Sequence, residues 1–154
     1  MTMKPIRSAA LALAVACTLP HAAHAAQPSE TRDVAGKRVE VYGTMGQPLQ
    51  VRVGGQTVIP PAVFDKDSVS MAGVQGVYGG RYVVIKGDTM GEACPAMFYA
   101  IDLSGPRPTA SGALGTCSDV PRVSVDGSGA LKLAFPAFRK APAETVTFAN
   151  GTAR

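Results

Sequence analysis

Tryptophan is absent from this 154-residue chain, and both histidines, His21 and His24, lie near its N-terminus. A mature protein without that end has no imidazole. It lacks the usual general base, the usual zinc ligand and the usual partner of a nucleophilic Ser or Cys. No later segment of helical length carries an apolar stripe at helical spacing, so helices are not expected. There is no Lys/Arg cluster and no basic stripe with interleaved aromatics, which argues against nucleic-acid binding. No later run is long and apolar enough for a transmembrane segment. No cofactor is expected.

What is present begins with an address. Lys4 and Arg7 precede an apolar stretch over residues 8–19, which Pro20 ends. As a helix this stretch spans about 18 Å, short of the ~30 Å hydrocarbon core. Ala23-His24-Ala25 places small residues at both recognition positions of a cleavage site before Ala26. Residues 1–25 therefore read as a cleaved export signal, for a periplasmic or secreted protein. An alternative takes Cys17 as a lipidation site that would tether the protein to a membrane face. Ala16 suits it, but Ala14 and Val15 do not. Cleavage after Ala25 leaves 129 residues, one domain of ordinary size, and lowers the formal charge from +4 to +2.

Two cysteines remain, Cys94 and Cys117. In an oxidising compartment a disulfide is the expectation. Residues 96–103 read as a strand, residues 104–107 as a turn, and residues 109–116 as a return. If Gly105 and Pro106 form the tip, paired positions sum to 211, as do Cys94 and Cys117. A hairpin with that register sets the two cysteines opposite each other at its open end. A redox thiol finds no support, because there is no CxxC spacing and no His to activate a thiolate.

Residues 26–37 are polar and without period, so they read as a flexible leader. Residues 38–154 then form a single domain of period two. Val39 and Val41 alternate with charged residues, and Leu49, Val51 and Val53 alternate with Gln50 and Arg52. Gly54-Gly55 makes a two-residue hairpin that sets Val51 against Val58. Residues 81–86 are apolar on both faces in their middle, the mark of an interior strand. Val123 and Val125 face Leu131 and Leu133 across a three- or five-residue turn holding a left-handed Gly. Residues 144–148 form a last strand, closed by Asn150-Gly151. With 17 Gly and 12 Pro cutting the chain short, the expectation is all-β: an antiparallel β-sandwich or small barrel of eight or nine short strands with one disulfide. The repeat of Thr44-Met45-Gly46 as Thr89-Met90-Gly91 reads as coincidence.

Candidate chemistry is sparse. The glycines of residues 73–80 precede a strand instead of a helix, so they make a hairpin tip or bulged strand and not a phosphate loop. That tip carries Tyr78 as its one aromatic anchor. Asp65 and Asp67 flank Lys66, which opposes a calcium site, and a solvated turn is expected. Met45, Met71, Met90 and Met97 are scattered without His or free Cys, so they read as core fillers and not as copper ligands. No motif sets a Lys beside Ser68, Ser70, Ser104 or Ser118. A glycosidase would need two carboxylates from among Glu40, Asp65, Asp67, Asp88, Glu92, Asp102, Asp119 and Glu144, and nothing in the sequence pairs any two.

The expectation that remains is a small exported domain that binds. Its partner would be an envelope protein, such as a cell-wall hydrolase it inhibits or a toxin it neutralises. Loops held by the disulfide lose little entropy on binding, which makes Thr89, Met90 and Glu92 on one side and Ser118, Asp119 and Arg122 on the other the candidate surface, with Tyr78. The alternatives are a carboxylate-dependent hydrolase of envelope glycan and a structural envelope or assembly protein without activity.

Overall fold

Turn residues that reach positive φ divide the chain into hairpins. In the computed structural model, residues 26–44, 47–61, 69–89 and 93–154 are described, and they hold strands and turns and no helix. β1 (Glu30–Val34), β2 (Lys37–Tyr42), β3 (Gln50–Val53) and β4 (Gln56–Ile59) form a first antiparallel sheet in chain order. β5 (Val69–Tyr78), β6 (Tyr82–Thr89), β7 (Ala96–Asp102) and β8 (Thr109–Ala110) form a second. β9 (Arg122–Val125), β10 (Leu131–Phe135), β11 (Glu144–Ala149) and β12 (Thr152–Ala153) form a third. Three of the two-residue turns have both central residues at positive φ: Ala35-Gly36 at 50° and 71°, Gly54-Gly55 at 56° and 80°, Asn150-Gly151 at 51° and 76°. That backbone follows the strand twist.

The fold is all-β, and the second sheet is its middle layer. Tyr82, Val83, Val84 and Ile85 are all fully buried on β6. Val83 and Ile85, with Tyr99 and Ile101 of β7, join Val39, Val41, Val51 and Val53 in one core. Tyr82 and Val84, with Phe98 and Ala100, join Leu131, Leu133, Phe135 and Phe148 in another. Period-two geometry sends alternate side chains of the same strand into different cores. Burying each of these large side chains stabilises the fold by roughly 1.5–3 kcal/mol. This is a β-sandwich with a third layer, and the interior strand expected over residues 81–86 is at its centre. A bridge between Thr44 and Met71 and a bond from the Ala72 N–H to the Gly43 carbonyl join the first and second sheets at one corner.

Several registers follow the sequence. Ile101 pairs Ala110 and Asp102 pairs Thr109, both summing to 211. Further out Phe98 meets Leu114, a slip of one, and the disulfide forms all the same, with Cα atoms 4.5 Å apart. Val125 pairs Leu131 and Val123 pairs Leu133, across the five residues 126–130 with Gly129 at φ 81°.

Other expectations need correction. The leader is not loose throughout, because Glu30–Val34 is β1, paired residue by residue with β2. Three consecutive exposed residues, Thr31, Arg32 and Asp33, hide the period of this edge strand. Val51 pairs Ile59 instead of Val58, because a bulge between Val51 and Arg52 adds one residue to β4. Asn150-Gly151 does not end the sheet but turns the chain into β12. The signal segment, Cys17, Met45, Asp65, Lys66, Asp67, Ser68, Met90 and Glu92 lie outside the described residues.

Candidate functional site

The Cys94–Cys117 bridge joins the segment after β6 to the segment before β9. On the Cys94 side, the Thr89 N–H donates to the Pro95 carbonyl at 2.9 Å and the Thr89 hydroxyl to the Cys94 carbonyl. The end of β6 is thereby tied to the bridge. On the other side Cys117 has φ 70°, a region L residues visit at a cost. The adjacent buried Thr116 hydroxyl donates to the Pro136 carbonyl at 2.7 Å. Gly115 lies under Phe135, where an added Cβ would come within 2.9 Å of the ring. Only glycine fits there, so the corner is pinned to the third sheet as well.

The expected surface residues separate on this frame. Thr89 is half-buried and bonded as above. Ser118 is only 3 % exposed, and its oxygen accepts the Val120 N–H at 3.4 Å. It caps its own loop and presents nothing outward. Asp119 and Arg122 are exposed. Residues 73–80 are a bulged strand and a hairpin turn, as expected, and Tyr78 flanks that turn, its carbonyl accepting the Arg81 N–H at 3.2 Å, but its side chain is not presented outward. It is half-buried against the second core, its ring lying where a Gly76 Cβ would sit. Met71 corrects the reading of the methionines as core fillers, being 61 % exposed.

Two open grooves are lined by residues that lead to the corner along the chain or across a strand pair. The first, about 560 Å³, is floored by Met71, Gly73 and Val74 of β5, with Ser29, Glu30 and Thr44 on one wall and Lys86 and Asp88 on the other. The second, also about 560 Å³, runs between Val120 and Arg122 and the facing Phe135, Pro136 and Glu144. Met71 pairs with Asp88, the residue before Thr89, and Val120 follows Cys117 by three positions. The two most exposed large apolar side chains of the described residues, Met71 and Val120 at 61 % and 64 %, therefore each line a groove reached within a few residues of the disulfide. Val120 stands alone between Asp119 and Pro121, and no periodicity could have singled it out.

Acid–base chemistry finds little footing in the first groove. Glu30 accepts from the Arg32 Nε at 2.6 Å and from the Val74 N–H at 2.7 Å, one bond on each carboxylate oxygen. Asp88 is bonded to the Lys86 ammonium at 2.7 Å. Donors thus already face both carboxylates. Asp102 is committed to Arg81 at 2.8 Å. Among the described residues no three His, Cys, Asp or Glu side chains gather as a metal site. Comparison with protein-family models, with curated proteins and with solved structures finds no match.

Proposed function

We propose that this chain is an exported β-domain that acts by binding a protein partner of the cell envelope across the disulfide corner. One observation carries the reading: Met71 and Val120, the most exposed large apolar side chains of the described residues, each line a groove, Met71 paired with the residue before Thr89 and Val120 three positions after Cys117. Apolar groups in concave, rigid surroundings are where binding energy concentrates, and Met adapts to many partner shapes. The charged N-terminal residues, apolar run and Ala-His-Ala site support export, and the disulfide fits an oxidising compartment. An inhibited cell-wall hydrolase or a neutralised toxin suits such a partner.

The test is capture with C-terminally tagged protein from a non-reduced envelope extract, read by mass spectrometry. A stoichiometric partner retained by the parent protein and lost from the Met71→Asp/Val120→Asp double variant supports the reading. A blank, or a partner retained equally by both, overturns it. The alternative, a glycan hydrolase, would draw on Glu30 and Asp88, which line one groove. It requires peptidoglycan turnover by the purified protein that Glu30→Gln abolishes.

A further inference from the structure

Sheet edges carry unpaired N–H and C=O groups, and proteins guard them with charges, prolines, short strands or bulges. Five of the six edges here are guarded by composition or length. β1 carries Glu30, Arg32 and Asp33. β4 is four residues long and runs into Pro60-Pro61. β8 and β12 have two residues each. β9 is four residues long, follows Pro121 and opens with Arg122. β5 is the exception, with ten residues, no charge and no proline.

The outer edge of β5 is already used for main-chain bonding at one end. The Ala72 N–H donates to the Gly43 carbonyl at 3.0 Å. Two residues on, where the next outward N–H falls, no backbone of the described residues continues the pairing. The Val74 N–H is held instead by the Glu30 carboxylate at 2.7 Å. Gly73 makes room for this, since a Cβ there would come within 2.9 Å of the same Glu30 oxygen. A side chain is standing in for a strand carbonyl.

We propose that the partner engages β5 by strand addition, an extended peptide segment lying in the first groove with a backbone carbonyl replacing Glu30 at the Val74 N–H. Main-chain bonds would supply affinity, and alternate side chains would find Met71 and the apolar floor. The segment is uncharged where it touches. β5 has no charge to match, and each rim carboxylate is already paired, Glu30 with Arg32 and Asp88 with Lys86. The bulges at residues 69–71 and 74–76 interrupt the register and keep the edge from pairing indiscriminately. This inference rests on the binding reading above.

The experiment uses a random twelve-residue peptide library selected on the purified protein. The best binder is then titrated against the parent, Val74→Pro and Met71→Asp. Proline removes the outward N–H and is tolerated at a sheet edge. Strand addition expects enriched sequences that alternate apolar residues and lack charge at the contacting positions. It expects Val74→Pro to weaken binding about tenfold, the loss of one main-chain bond at the upper end. It also expects the Val74 amide to exchange at least about tenfold more slowly in the complex, a readout on unsubstituted protein that decides the matter if the proline variant misfolds. A peptide lost from Met71→Asp but bound equally by Val74→Pro, with unchanged exchange at Val74, overturns strand addition and leaves groove binding standing. A library without binders, alongside a captured natural partner, overturns strand addition too.

Discussion

Asp102, almost wholly buried, holds the Arg81 guanidinium at 2.8 Å with one oxygen and accepts the Ser104 N–H with the other. The same guanidinium donates to the Tyr82 hydroxyl at 2.6 Å, and that hydroxyl donates to the Gly129 carbonyl at 2.9 Å. One chain of bonds thus runs from the end of β7 across the second core to the turn between β9 and β10.

Removing its anchor should be costly. Asp102→Ala leaves a cation with no partner charge and the Ser104 N–H without its acceptor. Breaking a fully buried pair costs about 3–5 kcal/mol, and Arg81 reaches solvent, so about 2–3 kcal/mol is expected here. Urea unfolding checks it: an unchanged midpoint would make the network ornamental.

The disulfide closes a loop between positions 23 apart, worth about 3.5 kcal/mol in the chain-entropy model. Cys94→Ser/Cys117→Ser should lower the unfolding free energy by that order. Proteolysis of the double variant should begin in residues 111–120, which lie between β8 and β9 and lose their tie to β6.

Ala35 occupies the first central position of its hairpin at φ 50°, where an L residue with a Cβ is strained by about 1–2 kcal/mol. Asn is favoured in such turns, and Asn150 holds the same place in the last hairpin. Ala35→Asn should raise stability by about 0.5–1 kcal/mol. A fall in Tm would show that the turn is not the one described.

The Asp126 carboxylate accepts the Ser128 hydroxyl at 2.6 Å, the Ala130 N–H at 3.1 Å and the Ser128 N–H at 2.8 Å, with the Lys132 ammonium at 3.3 Å. These donors, the Ser128 hydroxyl foremost, lower its pKa to about 2 against partial burial, which opposes them. A folded pKa below the unfolded one stabilises above about pH 4, and that contribution is lost as pH falls toward the folded value. A carboxyl-carbon NMR titration should find the midpoint near 2. A midpoint at the ordinary carboxylate value would mean that the turn is open in solution.

What could be read from the sequence follows from where side chains face. β6 and the hairpin above the disulfide were legible because burial on both faces and turn chemistry each leave a mark in one dimension. β1 was not, since its edge position leaves only Val34 apolar and buried. The bulge that moves Val51 from Val58 to Ile59 has no sequence signature, because an extra residue reads as ordinary strand. The site was harder still. Thr89 and Ser118 were singled out by their closeness to the cysteines, and both spend their polar groups inside the corner. Met71 reads as a core filler because the methionines are scattered without His or free Cys. Its exposure depends on where the third sheet stops covering the second, a fact of layering.

Each sheet is built from one unbroken stretch of chain: Glu30–Ile59, Val69–Ala110 and Arg122–Ala153. Hydrogen bonding within a sheet therefore never waits for a distant segment, which keeps loop closure cheap. Both halves of the disulfide precede Arg122, so the staple can close before any residue of the third sheet is in place. The sheet that ends in the middle of the molecule is also made second of three. On arrival it covers the apolar face of the one before it, and it holds its own other face ready for the one to come.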